Sequence, residues 1–268
     1  MCLLGLGEAG SAIATDLVAA GVEVHGYDPA DVATPDGVVR HDDPAAAVGR
    51  ADVVLALTGA AAARAVLDRV VDALPDDAVY ADLSTGSAGL KRELADIVGS
   101  RFVDVALMAP VPATGLRTPA LASGPAALAF IAAMTPLGMR VESVGDEAGQ
   151  AATRKLLRSV VMKGLAALLI ETLRAAQAAG TQVETWENLV AQLSAIDETL
   201  VRRLVTGTGL HAVRRRDEME ATVELLTELG VEPTMSRATA AVIEEIAADP
   251  AIVPPLPASE PPTAAEHR

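Results

Sequence analysis

Residues 1–29, MCLLGLGEAGSAIATDLVAAGVEVHGYDP, decide the fold. A short apolar run, residues 3–6, enters glycines at 5, 7 and 10. A helix over 11–20 follows, with Ile13, Leu17 and Ala20 on one face and Gly21 as its stop. A second apolar run over 22–27 closes on an acid, Asp28. Strand, helix and strand in this order form a βαβ unit, which implies a parallel sheet and a right-handed crossover.

Each glycine of GLGEAG has a separate reason to be one. Gly5 permits the tight turn off the strand, Gly7 lets backbone approach a pyrophosphate, and Gly10 lets the helix lie close to the strand. Leu6, Glu8 and Ala9 complete a loop whose amides, at a helix N-terminus, attract phosphate. A bare GxGxxG is weak evidence, but strand, glycine loop, helix and second strand form the context that gives it meaning. The carboxylate of Asp28 falls where the ribose hydroxyls of NAD would lie, and it would repel the 2′-phosphate of NADP. Pro29, Ala30 and Asp31 follow it, with no nearby arginine. NAD is therefore favoured over NADP. A glycine turn with no ligand, and the adenosyl loop of a methyltransferase, are the competing explanations. The all-helical second half disfavours the latter.

The alternation continues with strands at 53–57, 79–83, 102–107 and 139–144 and helices at 60–73, 88–98 and 124–134. The strands are continuous apolar runs, as in sheets covered on both faces. The expected fold is α/β: an N-terminal Rossmann-type, doubly wound parallel sheet over residues 1–145, then an all-α domain over 146–250 with a long interdomain helix. That helix, over 147–179, would run roughly 50 Å at about 1.5 Å per residue. Three or four further helices are expected in the regions 185–205, 210–229 and 234–248. Residues 251–268 are Pro-rich and read as a disordered tail.

The 268 residues suit two small domains, and a 51% hydrophobic content supplies a sizeable core. Aromatic residues are only 2%, so aliphatic side chains must fill it. A formal net charge of -15 argues against general nucleic-acid binding. Cys2 is the only cysteine, which excludes an intrachain disulfide and disfavours a thiolate metal site. No metal site is expected. Neither a signal peptide nor a membrane span is legible, so the expected setting is the cytoplasm.

The second informative stretch is residues 149–173, GQAATRKLLRSVVMKGLAALLIETL. On a helix, Lys155, Arg158, Ser159, Met162 and Lys163 share one face. Leu156, Leu157, Val160, Val161 and Leu165 fill the rest, so most of the helix is expected to be buried, with its cations facing a cleft or another subunit. A lysine beside Arg158 in such a cleft has its charged form disfavoured and is suited to proton transfer. A solvated, ion-paired stripe is the plainer alternative.

The chain resembles the β-hydroxyacid dehydrogenase superfamily, the group of 3-hydroxyisobutyrate and 6-phosphogluconate dehydrogenases. The resemblance rests on GLGEAG with GYDP, on ADVVLALTG, ADLSTG and FVDVALMAPVPATGLRTPALASG, and on the lysine-bearing helix, in matching order. It implies NAD(P) as cofactor and an all-α domain that often forms a homodimer. It also implies that Lys155 is the general acid/base on the substrate hydroxyl, and that Leu57, Thr58, Ser84 and Thr85 line the nicotinamide side. Two positions depart from the family pattern. Arg158 and Ser159 stand where paired asparagines are usual, and Met108-Ala109-Pro110 replaces a Ser-Gly-Gly loop. These departures put the usual small hydroxy acid in question. One branch of the superfamily resembles the chain more closely, with a late HA.RR..EM segment, here His211, Ala212, Arg214, Arg215, Glu218 and Met219. The substrate-side candidates are therefore Met108, Arg158, Ser159, Lys163, His211 and Arg215, around a small anionic organic substrate. Hydride transfer to or from a hydroxy or keto acid is the leading expectation. Imine reduction on the same scaffold and a non-catalytic NAD-binding sensor are the alternatives.

Overall fold

The computed structural model describes residues 1–258; the remainder of the Pro-rich tail, residues 259–268, lies outside the described residues. The chain forms two compact units, Met1–Val160 and Val161–Arg268.

The first unit alternates as the sequence suggests. Its elements are β1 (Cys2–Leu4), α1 (Glu8–Ala19), β2 (Val24–Tyr27), β3 (Val38–Arg40), α2 (Pro44–Val48), β4 (Val53–Ala56), α3 (Ala60–Val70), β5 (Val79–Asp82), α4 (Ala88–Val98), β6 (Phe102–Leu107), β7 (Ala120–Ser123), α5 (Ala127–Met134) and β8 (Val141–Ser143). The strands form one sheet of eight, in the order β3-β2-β1-β4-β5-β6-β7-β8. All neighbours are parallel except β6 and β7, which pair antiparallel through Asp104 with Ser123 and Leu107 with Ala120. The expected doubly wound sheet is thus present, with one reversed neighbour. β3 and β7 are additions to the strands expected from sequence.

Strand residues alternate between two cores, as a period of two requires. Leu3, Leu55, Ala81 and Val103 point to one face, where they join Ile13 and Leu17 of α1 and Phe130 of α5. Cys2, Leu4, Val54, Tyr80 and Phe102 point to the other, against Leu67 of α3 and Leu94 of α4. Burial on both faces explains why these strands read as unbroken apolar runs.

The chain then enters α6 (Gln150–Ala178), close to the expected limits. The pattern changes near Gly145, yet the division between the units falls at Val160, inside α6. The first turns of α6 belong with the sheet because strand side chains cap them, as described below. The second unit continues with α7 (Gln182–Ser194), α8 (Glu198–Leu210), α9 (Ala212–Glu228) and α10 (Thr234–Ala248). The region 185–205 holds two helices, in keeping with the three or four expected after α6: Asp197 accepts the N–H of Leu200 at 2.7 Å and starts α8. Ala175, Leu226 and Val231 form a small core here. Glu171 of α6 caps α10, accepting from the amides of Met235 (2.7 Å) and Ser236 (2.9 Å) and from Ser236 Oγ (2.7 Å). Among the described residues no helix is long and apolar enough to cross a membrane.

Candidate active site

β1 has β2 on one side and β4 on the other, so successive connections leave it in opposite directions. A crevice opens at such a switch point, beyond the strand ends, and the glycine loop lies there. Gly5 has φ +112°, and a Cβ on it would lie 2.8 Å from the carbonyl oxygen of Leu57. A Cβ on Gly10 would lie 1.9 Å from the carbonyl oxygen of Gly5, so α1 approaches the loop as closely as backbone allows. Gly7 is different: a Cβ there would meet nothing within 4 Å. Protein packing does not demand glycine at that position, whereas a group held against the loop would. Gly7 is also the N-cap of α1 and offers no side-chain cap. Glu8 is exposed and Ala9 half-buried, and Ser11 closes the turn through its amide to Gly7 O (2.8 Å) and its hydroxyl to Leu6 O (2.6 Å).

Asp28, at the end of β2, accepts from Leu6 N at 2.7 Å and from Ala30 N at 2.9 Å. Its carboxylate therefore braces the glycine loop, while each oxygen keeps a lone pair for a ribose hydroxyl. Sequence reasoning missed Arg40. Its guanidinium donates to the carbonyls of Asp28 (3.1 Å) and Ala30 (2.6 Å) and to Thr34 Oγ1 (3.3 Å), so it orders the loop after Asp28. The only local signal was the short GVVR run, which places Arg40 beside Gly26 in the sheet. Asp28, Asp31, Thr34, Arg40 and His41 line a hollow of about 600 Å³. His41 Nε2 lies 2.8 Å from His25 Nδ1, a contact between neighbouring strands.

The ends of β4, β5 and β6 bring up Leu57, Thr58, Ser84, Thr85 and Met108. Leu57 N donates to Leu4 O at 2.8 Å. Thr58 Oγ1 is buried and has no hydrogen-bond partner among the described residues. Ser84 is buried and held by Asp82, which accepts from its amide (3.2 Å) and hydroxyl (2.9 Å); Thr85 is exposed. An orphaned hydroxyl, an open position at Gly7 and an uncapped helix start fit a dinucleotide, whose phosphates and polar groups would engage them.

The start of α6 is fixed to the sheet. Ser123 Oγ accepts Ala151 N at 2.9 Å, and Asp104 Oδ2 accepts Ala152 N at 2.9 Å. One turn later comes Lys155, which is half-buried, as is Ser159. Arg158 Nη1 donates to the carbonyl oxygen of Met108, tying the third turn of α6 to the end of β6. That guanidinium is engaged by main chain, a constraint the expected anion-binding role did not include. The expectation that most of α6 is buried does not hold within the chain. Leu157, Val160 and Val161 are 65%, 71% and 65% exposed.

Lys163, His211 and Arg215 belong to the second unit. Lys163 and His211 are exposed, and the half-buried Arg215 donates to Thr208 Oγ1 at 2.6 Å. Arg214 pairs with Glu218, so the cationic face expected of His211, Arg214 and Arg215 is partly neutralised. No cluster of three or more metal-ligating side chains occurs among the described residues. Cys2 is buried, and burial pushes its thiol up to about 12, although the nearby N-terminal ammonium acts the other way.

Residues 1–117 match the NAD binding domain of 6-phosphogluconate dehydrogenase, and residues 176–246 match a domain of unknown function, DUF1932. A conserved hypothetical protein from Sinorhizobium meliloti 1021 is 32% identical, over 91% of this chain and 86% of that one, with a TM-score of 0.58. The conserved protein MTH1747, described as structurally similar to 3-hydroxyacid dehydrogenases, is 26% identical over 91% and 95% of the two chains, with a TM-score of 0.59. A reductive aminase from Aspergillus terreus, in complex with NADPH and ethyl levulinate, shares the fold at 21% identity over 92% and 93%, with a TM-score of 0.75. An uncharacterized 28.5 kDa protein from the 7S RNA 5′ region of Methanothermus fervidus is 25% identical over 169 residues, 63% of this chain. The chain spans 66% of that protein's length. With the glycine loop at the switch point and these matches together, the chain belongs to the 6-phosphogluconate dehydrogenase-like group of the β-hydroxyacid dehydrogenase superfamily, as an NAD-binding oxidoreductase with a Rossmann-type domain and a helical C-terminal region.

Proposed function

We propose that this protein transfers hydride between NAD and a small anionic hydroxy or keto acid, with Lys155 as general acid/base. The observation that carries the reading lies within the first unit. The glycine loop opens at the switch point, and the caps from Asp104 and Ser123 hold the helix start one turn before Lys155. The amides of the first turn of α1 would hold the pyrophosphate, and Asp28 the ribose. Thr58 and Ser84 would face the nicotinamide, which supplies or accepts the hydride when bound.

In the oxidation direction, neutral Lys155 Nζ takes the substrate hydroxyl proton as the carbinol hydrogen leaves with its electron pair. In reduction the Lys155 ammonium returns that proton to the carbonyl oxygen. General catalysis of this kind contributes about 10²–10⁴-fold. Arg158, held at the Met108 carbonyl, keeps further N–H groups that can meet a substrate carboxylate. Arg158 and Ser159 would then do with a fixed cation and a hydroxyl what a pair of amides does elsewhere in the superfamily.

Imine reduction is the second reading, supported by the fold shared with the reductive aminase. A single panel separates them: NADH and NADPH oxidation by the full chain with keto acids and with cyclic imines, beside the reverse reaction with hydroxy acids. Turnover confined to imines would replace the acid substrate. NADH binding with no turnover on any substrate would support a sensor instead.

A further inference from the structure

We propose that Lys91 is a positioning residue, whose buried ammonium holds the Ser84 loop and the first turn of α6 in one register and so sets the reach of Lys155. The inference rests on the assignment of Lys155 as the acid/base. In sequence Lys91 sits in LKREL on α4, a setting that reads as solvated surface. In the fold it is 0% exposed. Its Nζ lies 2.7 Å from Asp82 Oδ2 and 3.1 Å from Asp104 Oδ1, and donates to the Asp82 carbonyl at 2.9 Å. Among the described residues only the Asp82 carbonyl accepts a hydrogen bond from Nζ; the two carboxylate contacts are ion pairs, and Asp104 Oδ1 accepts no hydrogen bond.

Each carboxylate also holds a different part of the site. Asp82 accepts from the amide and hydroxyl of Ser84, and Asp104 Oδ2 accepts from Ala152 N. Ser123 Oγ, 3.3 Å from the same Asp104 oxygen, accepts from Ala151 N. One ion thus touches, through one carboxylate each, the loop at the end of β5 and the start of the helix that carries Lys155. The charges balance only with all parts in place. Two carboxylates face one ammonium, and the positive end of α6 supports the second negative charge. Both carboxylates are 0% exposed, so no solvent screens a displacement. Buried ion clusters rarely add net stability over apolar packing. Their bonds are directional, however, and here they run toward the two segments that must meet a substrate together.

The test uses the full chain and the variants Lys91→Met, Asp104→Asn and Ser123→Ala. Asp104→Asn leaves Lys91 and Asp82 as a balanced pair, so it keeps the question open to measurement if Lys91→Met fails to fold. Hydrogen exchange is followed by mass spectrometry at residues 5–11, 83–87 and 150–158, together with NADH affinity and steady-state kinetics. Asp104→Asn is expected to speed exchange about fivefold at 83–87 as well as at 150–158, leaving 5–11 protected. NADH affinity should stay within about twofold, while kcat falls about tenfold with little change in KM. Faster exchange at 150–158 alone, or a general loss of protection with kcat per folded molecule unchanged, overturns the inference. The Lys155 assignment fails separately: turnover retained by Lys155→Met removes it, and exchange at 83–87 in Asp104→Asn still decides whether Lys91 couples the two segments.

Discussion

The carboxylate of Asp28 accepts the main-chain N–H of Leu6 at 2.7 Å, joining the end of β2 to the glycine loop at the end of β1. The residue expected to choose between NAD and NADP therefore also shapes the loop that holds their phosphates. A hydrogen bond to a charged group is worth about 1.5–3 kcal/mol. Asp28→Ala should lower stability by an amount in that range and weaken both dinucleotides. Asp28→Asn should keep one acceptor for Leu6 N while losing the charge and the acceptor for Ala30 N. The ratio of NADPH to NADH dissociation constants, read by fluorescence titration, should then narrow toward one in Asp28→Asn. An unchanged ratio would remove Asp28 as the discriminating group.

Gly7 and Gly10 separate ligand from fold. Gly10→Ala drives a Cβ into the Gly5 carbonyl at 1.9 Å, where only backbone movement gives relief. It should destabilise the protein by about 3 kcal/mol, the upper end of ordinary overpacking. Gly7→Ala meets no protein atom within 4 Å. It should leave thermal stability within about 0.5 kcal/mol. NADH affinity should nonetheless fall about tenfold, because the methyl occupies the space where the pyrophosphate approaches. Full NADH binding by Gly7→Ala would place the phosphates elsewhere.

Lys155→Met tests the chemistry directly. It should reduce kcat by about 10²–10⁴-fold, the usual contribution of a positioned acid/base. NADH affinity, measured in the same preparation, should hardly change. A parallel loss of binding and turnover would instead assign Lys155 to the cofactor.

The glycine loop, the βαβ opening and the lysine helix were legible because each is a local pattern: a turn residue, a period, a face. What stayed hidden depends on contacts between distant segments. β3 and β7 are short, and nothing in VVR or ALAS distinguishes a strand from a loop until a neighbour pairs with it. Arg40 reaches the Asp28 loop only through the parallel pairing of β2 with β3. Lys91 has the sequence surroundings of a surface residue, and only the meeting of α4, β5 and β6 encloses it. The break between α7 and α8 hinges on one capping acid, Asp197, inside an otherwise helical stretch.

The second unit carries a pH dependence of its own. Burial of Glu171 tends to raise its pKa. The bonds from Ser236 Oγ and the amides of Met235 and Ser236, with nearby Arg174, outweigh burial and hold it below its ordinary value of 4.5. The unfolded chain then binds the extra proton more readily, so stability rises with pH across that window. The contribution is complete above about pH 4.5 and is lost as pH falls through the lowered folded value. Hydrogen exchange over Thr234–Ala248 should accelerate as the pH falls below that point, once corrected for intrinsic rates. Glu171→Gln should weaken the cap at neutral pH and flatten this dependence. A wild-type profile with no change below pH 4.5 would contradict the assignment.

Leu157, Val160 and Val161 stand exposed on α6, on the same helix as Lys155 and Arg158. Water-facing valine and leucine in such density is costly unless another surface covers it. The expected cover is a second copy of this chain; Trp186, Val190 and Leu204 of α7 and α8 are exposed as well. A stable pair needs roughly 1,200–2,000 Å² buried in total, which a helix face of this kind and its neighbours can supply. Sedimentation equilibrium should return the mass of two chains. Introducing Val160→Glu together with Val161→Glu places two carboxylates in that contact and should shift the protein to one chain. Neither substitution touches the Gly7–Ser11 loop itself, so NADH binding to the separated chains should survive. A wild-type protein that sediments as a single chain at micromolar concentration would leave the apolar face of α6 without its expected partner.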